Sequence, residues 1–154
     1  MIQRIQTLYI LLGTILLMVT CFFVPLIGIK TESSTDLFWY FTVDPNAKML
    51  VVLLIGLNLI ATLFTVFTFK KIKIQLYSLS FLRGTPWMIL GSALFRILKC
   101  GIPQELLDQG YISFDYKYFG FFVILLVGTE ICYYLAYRGI KKDDDLIKSI
   151  DRIR

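Results

Sequence analysis

A nineteen-residue apolar run near the C-terminal end constrains the fold of this chain more than any other stretch. It covers residues 119–137, reads FGFFVILLVGTEICYYLAY, and contains a single acidic side chain, Glu130. At ~1.5 Å of rise per residue, a helix of this length crosses the roughly 30 Å hydrocarbon core of a bilayer. Lys and Arg residues follow the run directly, and such basic segments are expected to stay in the cytoplasm. The run therefore predicts a membrane helix whose C-terminal end is cytoplasmic.

The composition extends this prediction to the rest of the chain. Mean hydropathy is +0.72, and only 18% of residues are charged, against about 25% in an average soluble domain. We predict an all-α integral membrane protein with four transmembrane helices, forming a single membrane domain over residues 1–154. The predicted spans are residues 8–29, 49–69, 76–98 and 119–137, with outer loops at 30–48 and 99–118. A cleaved signal peptide is the alternative for the first span, but the run is too long and no small-x-small site follows it.

The distribution of basic residues predicts the orientation of the chain. Five of the sixteen basic residues fall on the loop side, namely Lys30, Lys48, Arg96, Lys99 and Lys117. The other eleven fall on the side that holds both ends of the chain, so the positive-inside rule predicts both ends to be cytoplasmic. This topology accounts for the net charge of +5, and we expect no binding to nucleic acid.

The third span is the least regular, and its start has two interpretations. A helix from residue 76 would bury Arg83 in the membrane, roughly 15 Å from the basic turn at residues 70–73. A helix that begins near Thr85 would instead leave Arg83 at the inner headgroup level. The Thr85-Pro86 pair favours this second interpretation, because proline is well tolerated in a first helical turn.

Glu130 is the acidic residue that most needs an explanation, because an acid inside a span is costly. It lies eight residues before Arg138, or roughly 12 Å from the inner end of the span. That depth is close to the depth of Arg83 if the third span begins early. We predict an intramembrane ion pair between Arg83 and Glu130, shielded from lipid. The alternative is that Glu130 takes part in proton or cation transport.

The second span carries its polar residues on one helical face. Asn58, Thr62 and Thr65 recur at intervals of three and four residues, so this polar face is expected to contact other helices rather than lipid. In the second outer loop, residues 111–119 alternate aromatic and polar side chains. We predict a short strand there that pairs with residues 37–43 of the first outer loop.

The segment 138–154 is predicted to form a cytoplasmic amphipathic helix. Its apolar face would carry Leu146, Ile147, Ile150 and Ile153. Two interpretations remain open, a helix that lies on the inner leaflet and a helix that docks onto a cytoplasmic partner.

Several chemistries are excluded by residues that the sequence lacks. The chain has no histidine, and its three cysteines form no C-x-x-C pair. No glycine-rich phosphate loop is present. We therefore predict no catalytic residues, no metal and no cofactor, and we do not expect an enzyme.

Both ends of the chain also resemble one protein family. The opening MIQRIQTLY and the close LAYRGIKKDDDLIKSIDRIR, set around four hydrophobic spans, resemble the small four-helix membrane proteins of Bacteroidota catalogued as domain of unknown function 4293. The resemblance covers the whole chain. It implies a multi-pass protein of the bacterial inner (cytoplasmic) membrane and implies no activity.

Two functional hypotheses follow. The first is a non-catalytic accessory or scaffold subunit of a larger inner-membrane complex, whose partners are the lipid bilayer and other membrane-protein subunits. The alternative is a small transporter or ion-translocating protein that uses Glu130 and the polar face of the second span.

Overall fold

Four long helices and a small three-stranded sheet make up the described part of the chain. The computed structural model describes residues 2–24, 27–30, 35–38, 45–68, 71–99, 113–115 and 117–151. The helices are α1 (Ile2–Phe23), α2 (Pro45–Phe67), α3 (Ile72–Lys99) and α4 (Lys117–Asp151). The strands are β1 (Ile27–Lys30), β2 (Thr35–Phe38) and β3 (Ser113–Asp115). The predicted four-helix architecture is therefore confirmed.

Two of these helices are long and apolar enough to cross a membrane. They are the segments Ile5–Phe23 of α1 and Tyr118–Ser149 of α4, while the apolar part of α2, Val51–Phe67, is shorter. Only 39% and 33% of the two long segments are buried inside the bundle. The core helix of a soluble protein would be mostly buried, so the outward apolar surface of α1 and α4 points to a membrane environment.

Helix α3 starts at Ile72 and runs through Pro86 without a break. The early start is therefore correct, and the interpretation that begins the helix near Thr85 is wrong. Pro86 has no N–H to donate, so the carbonyl of Leu82 loses its partner within the helix. The hydroxyl of Thr85 donates to that carbonyl over 2.7 Å and replaces the missing hydrogen bond.

Helices α1 and α4 end at residues other than the ends of the predicted first and fourth spans. Helix α1 ends at Phe23 rather than at residue 29, because Pro25 disfavours a helical conformation in the residue before it. Helix α4 continues for 35 residues, so the predicted cytoplasmic amphipathic helix is an extension of the fourth span and not a separate element. An Asp144–Lys148 ion pair, four residues apart, stabilises this extension.

The three strands form one antiparallel sheet in the order β2-β1-β3. Gly28 at its centre is paired with Leu37 of β2 and with Asp115 of β3. A strand in each outer loop was predicted, and both are present. In the described strands the predicted direct pairing is absent, because β1 lies between β2 and β3. Residues 27–29 of β1 were predicted to end the first span, and residues 39–43 of the predicted pairing lie outside the described residues. The sheet is a small addition to the four helices, which form the predicted all-α architecture.

The interior of the bundle has two apolar clusters, one near the sheet and one near the α4 extension. The sheet-end cluster contains Leu17, Cys21, Val51, Leu54, Ile55, Ile89, Ala93, Phe122 and Leu126. The tail-end cluster contains Ile10, Leu79, Leu82, Tyr133, Ala136 and Ile140. Every helix contributes to the first cluster, so the core is shared by the whole bundle.

Helices α1 and α4 approach closely at Gly13. A Cβ atom on Gly13 would lie 2.8 Å from Cε1 of the Tyr133 ring, so this contact requires a residue without a side chain. Gly56 on α2, in contrast, has open space where its Cβ would lie.

We predict that Gly13→Ala lowers the stability of the protein by about 1–3 kcal/mol, the usual cost of overpacking a core. The matched variant Gly56→Ala should be neutral or slightly stabilising, because alanine is the better helix former. Thermal unfolding of both variants in detergent checks this. Equal melting temperatures for the two variants would show that the α1–α4 contact is looser than the structure indicates.

Candidate functional site

A layer of buried polar side chains lies between the two apolar clusters and links all four helices. It consists of Thr14 on α1, Asn58 and Thr62 on α2, Thr85 on α3 and Tyr133 on α4. None of these residues is more than 5% exposed. We refer to these five residues as the polar layer.

The polar layer is one continuous hydrogen-bond chain. The Tyr133 hydroxyl donates to Asn58 Oδ1 over 3.1 Å, and Asn58 Nδ2 donates to Thr85 Oγ1 over 2.7 Å. The Thr14 hydroxyl lies 3.2 Å from the Tyr133 hydroxyl and 2.9 Å from the hydroxyl of Thr62. Each helix is thus joined to the others by side-chain hydrogen bonds in the middle of the bundle.

Thr65, the third residue of the predicted polar face, lies three residues beyond Thr62, nearer the tail end and outside the polar layer. Its hydroxyl donates to the carbonyl of Ala61 over 2.6 Å and contacts the hydroxyl of Ser78 on α3. Gln75 on α3 donates to the Thr65 carbonyl over 3.0 Å. The structure therefore places all three residues of the predicted face, Asn58, Thr62 and Thr65, against neighbouring helices.

Thr14, Thr85 and Tyr133 are the polar-layer residues that the sequence analysis did not single out. Threonine and tyrosine are common in apolar runs, and periodicity within one helix does not say which helix faces which. Their positions in the sequence could have identified two of these residues. Tyr133 lies three residues after Glu130, and Thr85 precedes a proline that leaves a backbone carbonyl without its helical partner.

Arg83 and Glu130 meet across α3 and α4. Arg83 Nε donates to Glu130 Oε1 over 2.9 Å. The Glu130 side chain is 16% exposed, whereas that of Arg83 is 34% exposed, so the pair is only partly shielded from its surroundings. The guanidinium carbon also lies 5.3 Å from the Tyr134 ring centre and 5.4 Å from that of Tyr137, within the range of cation–π attraction.

Glu130 Oε2 is buried and has no hydrogen-bond partner among the described residues. Beside Glu130 is a cavity of about 10 Å³, lined also by Pro86, Trp87, Leu90, Leu126 and Val127. That volume is close to the minimum that holds one water molecule. The carboxylate therefore has one oxygen in an ion pair and one buried oxygen without a partner in the described residues.

A larger cleft of about 270 Å³ opens at the tail end, between α1, α3 and α4. It is lined by Gln6, Ile72, Gln75, Ile140, Asp143, Leu146 and Ile147. Gln6 Nε2 donates to Asp143 Oδ2 over 2.8 Å, which fixes the extension of α4 against the start of α1. Leu146 and Ile147 of the predicted docking face are 51% and 47% exposed, while the side chains of Ile150 and Ile153 lie outside the described part.

The sequence pattern of a family described as a domain of unknown function (DUF4293) matches residues 2–153. The chain belongs to this family. The resemblance carried by the two ends of the chain is thereby confirmed, and the DUF4293 match extends through all four helices. Comparison with functionally described proteins and with solved structures gave no match.

We predict that Tyr133→Phe destabilises the bundle, because it leaves the buried Asn58 Oδ1 without its donor. Hydrogen bonds between membrane helices average about 0.6 kcal/mol and reach about 1.7 kcal/mol, and a completely buried position should fall in the upper part of that range. Tyr77→Phe is the matched control, because Tyr77 is 80% exposed. Unfolding in a denaturing detergent series checks this, and a Tyr77 variant as unstable as the Tyr133 variant would contradict it.

We further predict that Arg83→Met and Glu130→Leu are each defective, while the double variant recovers. Removing one partner of a buried pair leaves a lone charge and costs ~3–5 kcal/mol, whereas replacing both can be nearly neutral. The partial exposure of Arg83 should place its single-variant cost at the low end. Folded yield in detergent measures all three variants.

The control for this cycle is the Asp144–Lys148 pair within α4. Pairs four residues apart on a helix are coupled by only about 0.3–0.5 kcal/mol, so Asp144→Leu with Lys148→Met should show little recovery beyond the single variants. Additive losses at Arg83 and Glu130 would show that the two side chains do not depend on each other.

Proposed function

We propose that this chain is an integral protein of the bacterial inner membrane, in which all four helices cross the bilayer and both ends are cytoplasmic. We propose further that it is a non-catalytic accessory or scaffold subunit of a larger membrane complex. The observation that carries this proposal is the closed polar layer. Its buried hydrogen-bonding side chains are used to hold the four helices together, which leaves them unavailable for chemistry on a substrate.

The outward surface supports insertion of α2 and α3 as well as α1 and α4. Large apolar side chains on the outer faces of the two middle helices are at least 50% exposed, including Ile60 and Phe64 on α2 and Trp87 and Phe95 on α3. A continuous apolar surface of this extent is unfavourable in water and favourable in lipid. Four spans therefore account for the surface better than two.

The charged ends of the helices support the proposed orientation. Lys71 immediately precedes α3 and Lys73 lies in its first turn. Arg138, Lys141 and Lys142 lie on the extension of α4, so all five are at the tail end of the bundle. Basic residues beside apolar spans favour the cytoplasmic side. The tail end is therefore proposed to be cytoplasmic and the sheet to lie on the opposite side of the membrane.

The continuous α4 helix supports docking rather than a tail on the leaflet. From Arg138 to Asp151 it extends about 20 Å beyond the basic boundary along its own axis. A helix that lay on the leaflet would need to change direction near Arg138, whereas α4 is assigned as one uninterrupted helix through this point. The exposed Leu146 and Ile147 beside the tail-end cleft are the proposed contact for a cytoplasmic partner or for a soluble part of the complex.

The second candidate function is ion translocation, which one observation favours. Glu130 Oε2 is buried without a hydrogen-bond partner in the described residues, and an acidic side chain within a membrane span is by default a candidate for proton or cation transfer. The polar layer weighs against this function, because its groups are hydrogen-bonded to one another. The cavity beside Glu130 is close to the minimum volume for one water molecule and offers no wide path for ions. Flux through proteoliposomes distinguishes the two, since a transporter would lose flux with Glu130→Gln.

Orientation is the first part of the test. A single cysteine at position 141 in a cysteine-free variant should react with a membrane-impermeant reagent only after the cells are opened. A cysteine at Ser113 on β3 should react in intact cells once the outer membrane is permeable. Reaction of position 141 in intact cells would refute the proposed topology.

Co-purification in a mild detergent is the second part of the test. We expect a stoichiometric companion that is retained by Asp145→Ser and lost when Leu146 and Ile147 are both changed to serine. Asp145 is a suitable control because it lies on the opposite side of the same exposed helix. A solitary wild-type chain without any companion in several mild detergents would eliminate the scaffold proposal.

A further inference from the structure

The guanidinium of Arg83 has unused hydrogen-bonding capacity. Arginine carries five N–H donors, and the hydrogen bond to Glu130 uses only the one on Nε. No described residue accepts a hydrogen bond from Nη1 or Nη2, and 34% of the side chain is exposed on the outer surface of the bundle. Nη1 and Nη2 are therefore available to an acceptor other than the described residues.

The Arg83 guanidinium lies beside the α4 residues that end the apolar run. It is beside the rings of Tyr134 and Tyr137, and Tyr137 immediately precedes Arg138, the first basic residue after the apolar run. Arginine side chains commonly extend in this way from a buried backbone to the headgroup region. In the proposed topology, Nη1 and Nη2 therefore lie close to the inner headgroup level.

The surrounding residues are cationic or hydroxylated toward the tail end. Lys141 follows Tyr137 by four residues, so it shares that face of α4, and it is exposed. Tyr134 and Tyr137 on the same face carry phenolic hydroxyls. Phosphate oxygens are good acceptors for this combination of guanidinium, ammonium and phenol donors.

The seam between α3 and α4 becomes apolar toward the sheet end. Trp87 and Val127 flank it at 58% and 45% exposure, and Leu90 lines the small cavity between them. A groove with donors at the headgroup level and apolar walls toward the bilayer centre matches a molecule with a phosphate and a long hydrocarbon chain.

We propose that the α3–α4 seam binds an anionic phospholipid of the inner leaflet. Its phosphate would accept from Arg83 and Lys141 and from the hydroxyls of Tyr134 and Tyr137, and an acyl chain would contact Trp87 and Val127. Basic sites between membrane helices on the cytoplasmic side are typical positions for anionic lipids. The inference rests on the proposed topology and not on the proposed scaffold role.

Native mass spectrometry of the full chain tests the site. Phosphatidylglycerol and phosphatidylethanolamine with the same acyl chains are titrated separately into the purified, detergent-solubilised protein. The wild type should retain phosphatidylglycerol at lower lipid concentration. Lys141→Gln should weaken that retention roughly fivefold, the usual value of one basic residue near an anionic lipid surface.

Matched controls separate the seam from the general basic surface. Lys142→Gln makes the same charge change on a different face of α4 and should leave the preference unchanged. Tyr134→Phe and Tyr137→Phe together should reduce it, whereas Tyr77→Phe should not. The double variant Arg83→Met with Glu130→Leu removes the guanidinium without leaving a lone charge and should abolish the preference.

Three outcomes would overturn the inference. Equal retention of the two lipids by the wild type would refute the proposed lipid site. This comparison uses no variant, so it remains valid even if a variant fails to fold. Equal weakening by Lys141→Gln and Lys142→Gln would show a diffuse surface effect. Competition by glycerol phosphate at the same concentration would show a site for a soluble phosphate.

The orientation experiment keeps this result separate from the proposed function. If position 141 is cytoplasmic and the wild type shows no lipid preference, the lipid site is refuted and the scaffold proposal stands. If position 141 is on the outer side, the topology is refuted, and any retained lipid would then belong to the other leaflet.

Discussion

The need to satisfy polar groups inside an apolar bundle is the constraint on which the rest of this structure depends. In lipid, apolar contact between helices gives little preference for one arrangement, because lipid tails are as apolar as leucine. The side-chain amide of Asn58 favours one arrangement, because it forms hydrogen bonds with Tyr133 on α4 and with Thr85 on α3. Those bonds form only when the three helices have the correct axial positions. The polar layer thus sets the register that the two apolar clusters then fill.

Two local features make this register possible. Gly13 lets α1 approach the ring of Tyr133, which brings the Thr14 hydroxyl within 3.2 Å of the Tyr133 hydroxyl. Thr85 has two functions, since it accepts from Asn58 and donates to the carbonyl that Pro86 leaves free. The proline in the middle of α3 is therefore tolerated because the same hydroxyl that repairs the helix also belongs to the polar layer.

The positions of several residues within their own helices could be predicted by counting residues along the sequence. The contacts between helices could not, because the sequence does not show which helices are neighbours. The depths of Arg83 and Glu130 follow from a rise of ~1.5 Å per residue, and the shared face of Asn58, Thr62 and Thr65 follows from helical spacing. Their partners do not, because a period within one helix carries no information about the neighbouring helix. The strand β1 was missed for a different reason: Ile27–Lys30 is a short apolar run, which periodicity alone does not distinguish from the end of a helix.

The length of α4 connects the polar layer to the tail end. Its 35 residues extend about 52 Å, which exceeds the roughly 30 Å hydrocarbon core by several turns. Tyr133 in the layer and Leu146 at the cleft therefore lie on one continuous helix, and the Gln6–Asp143 hydrogen bond fixes its extension to α1. A partner bound at Leu146 would thus be held at a fixed distance and angle from the membrane core. In the proposed scaffold role, this continuous helix would position the partner, which a flexible tether would not do.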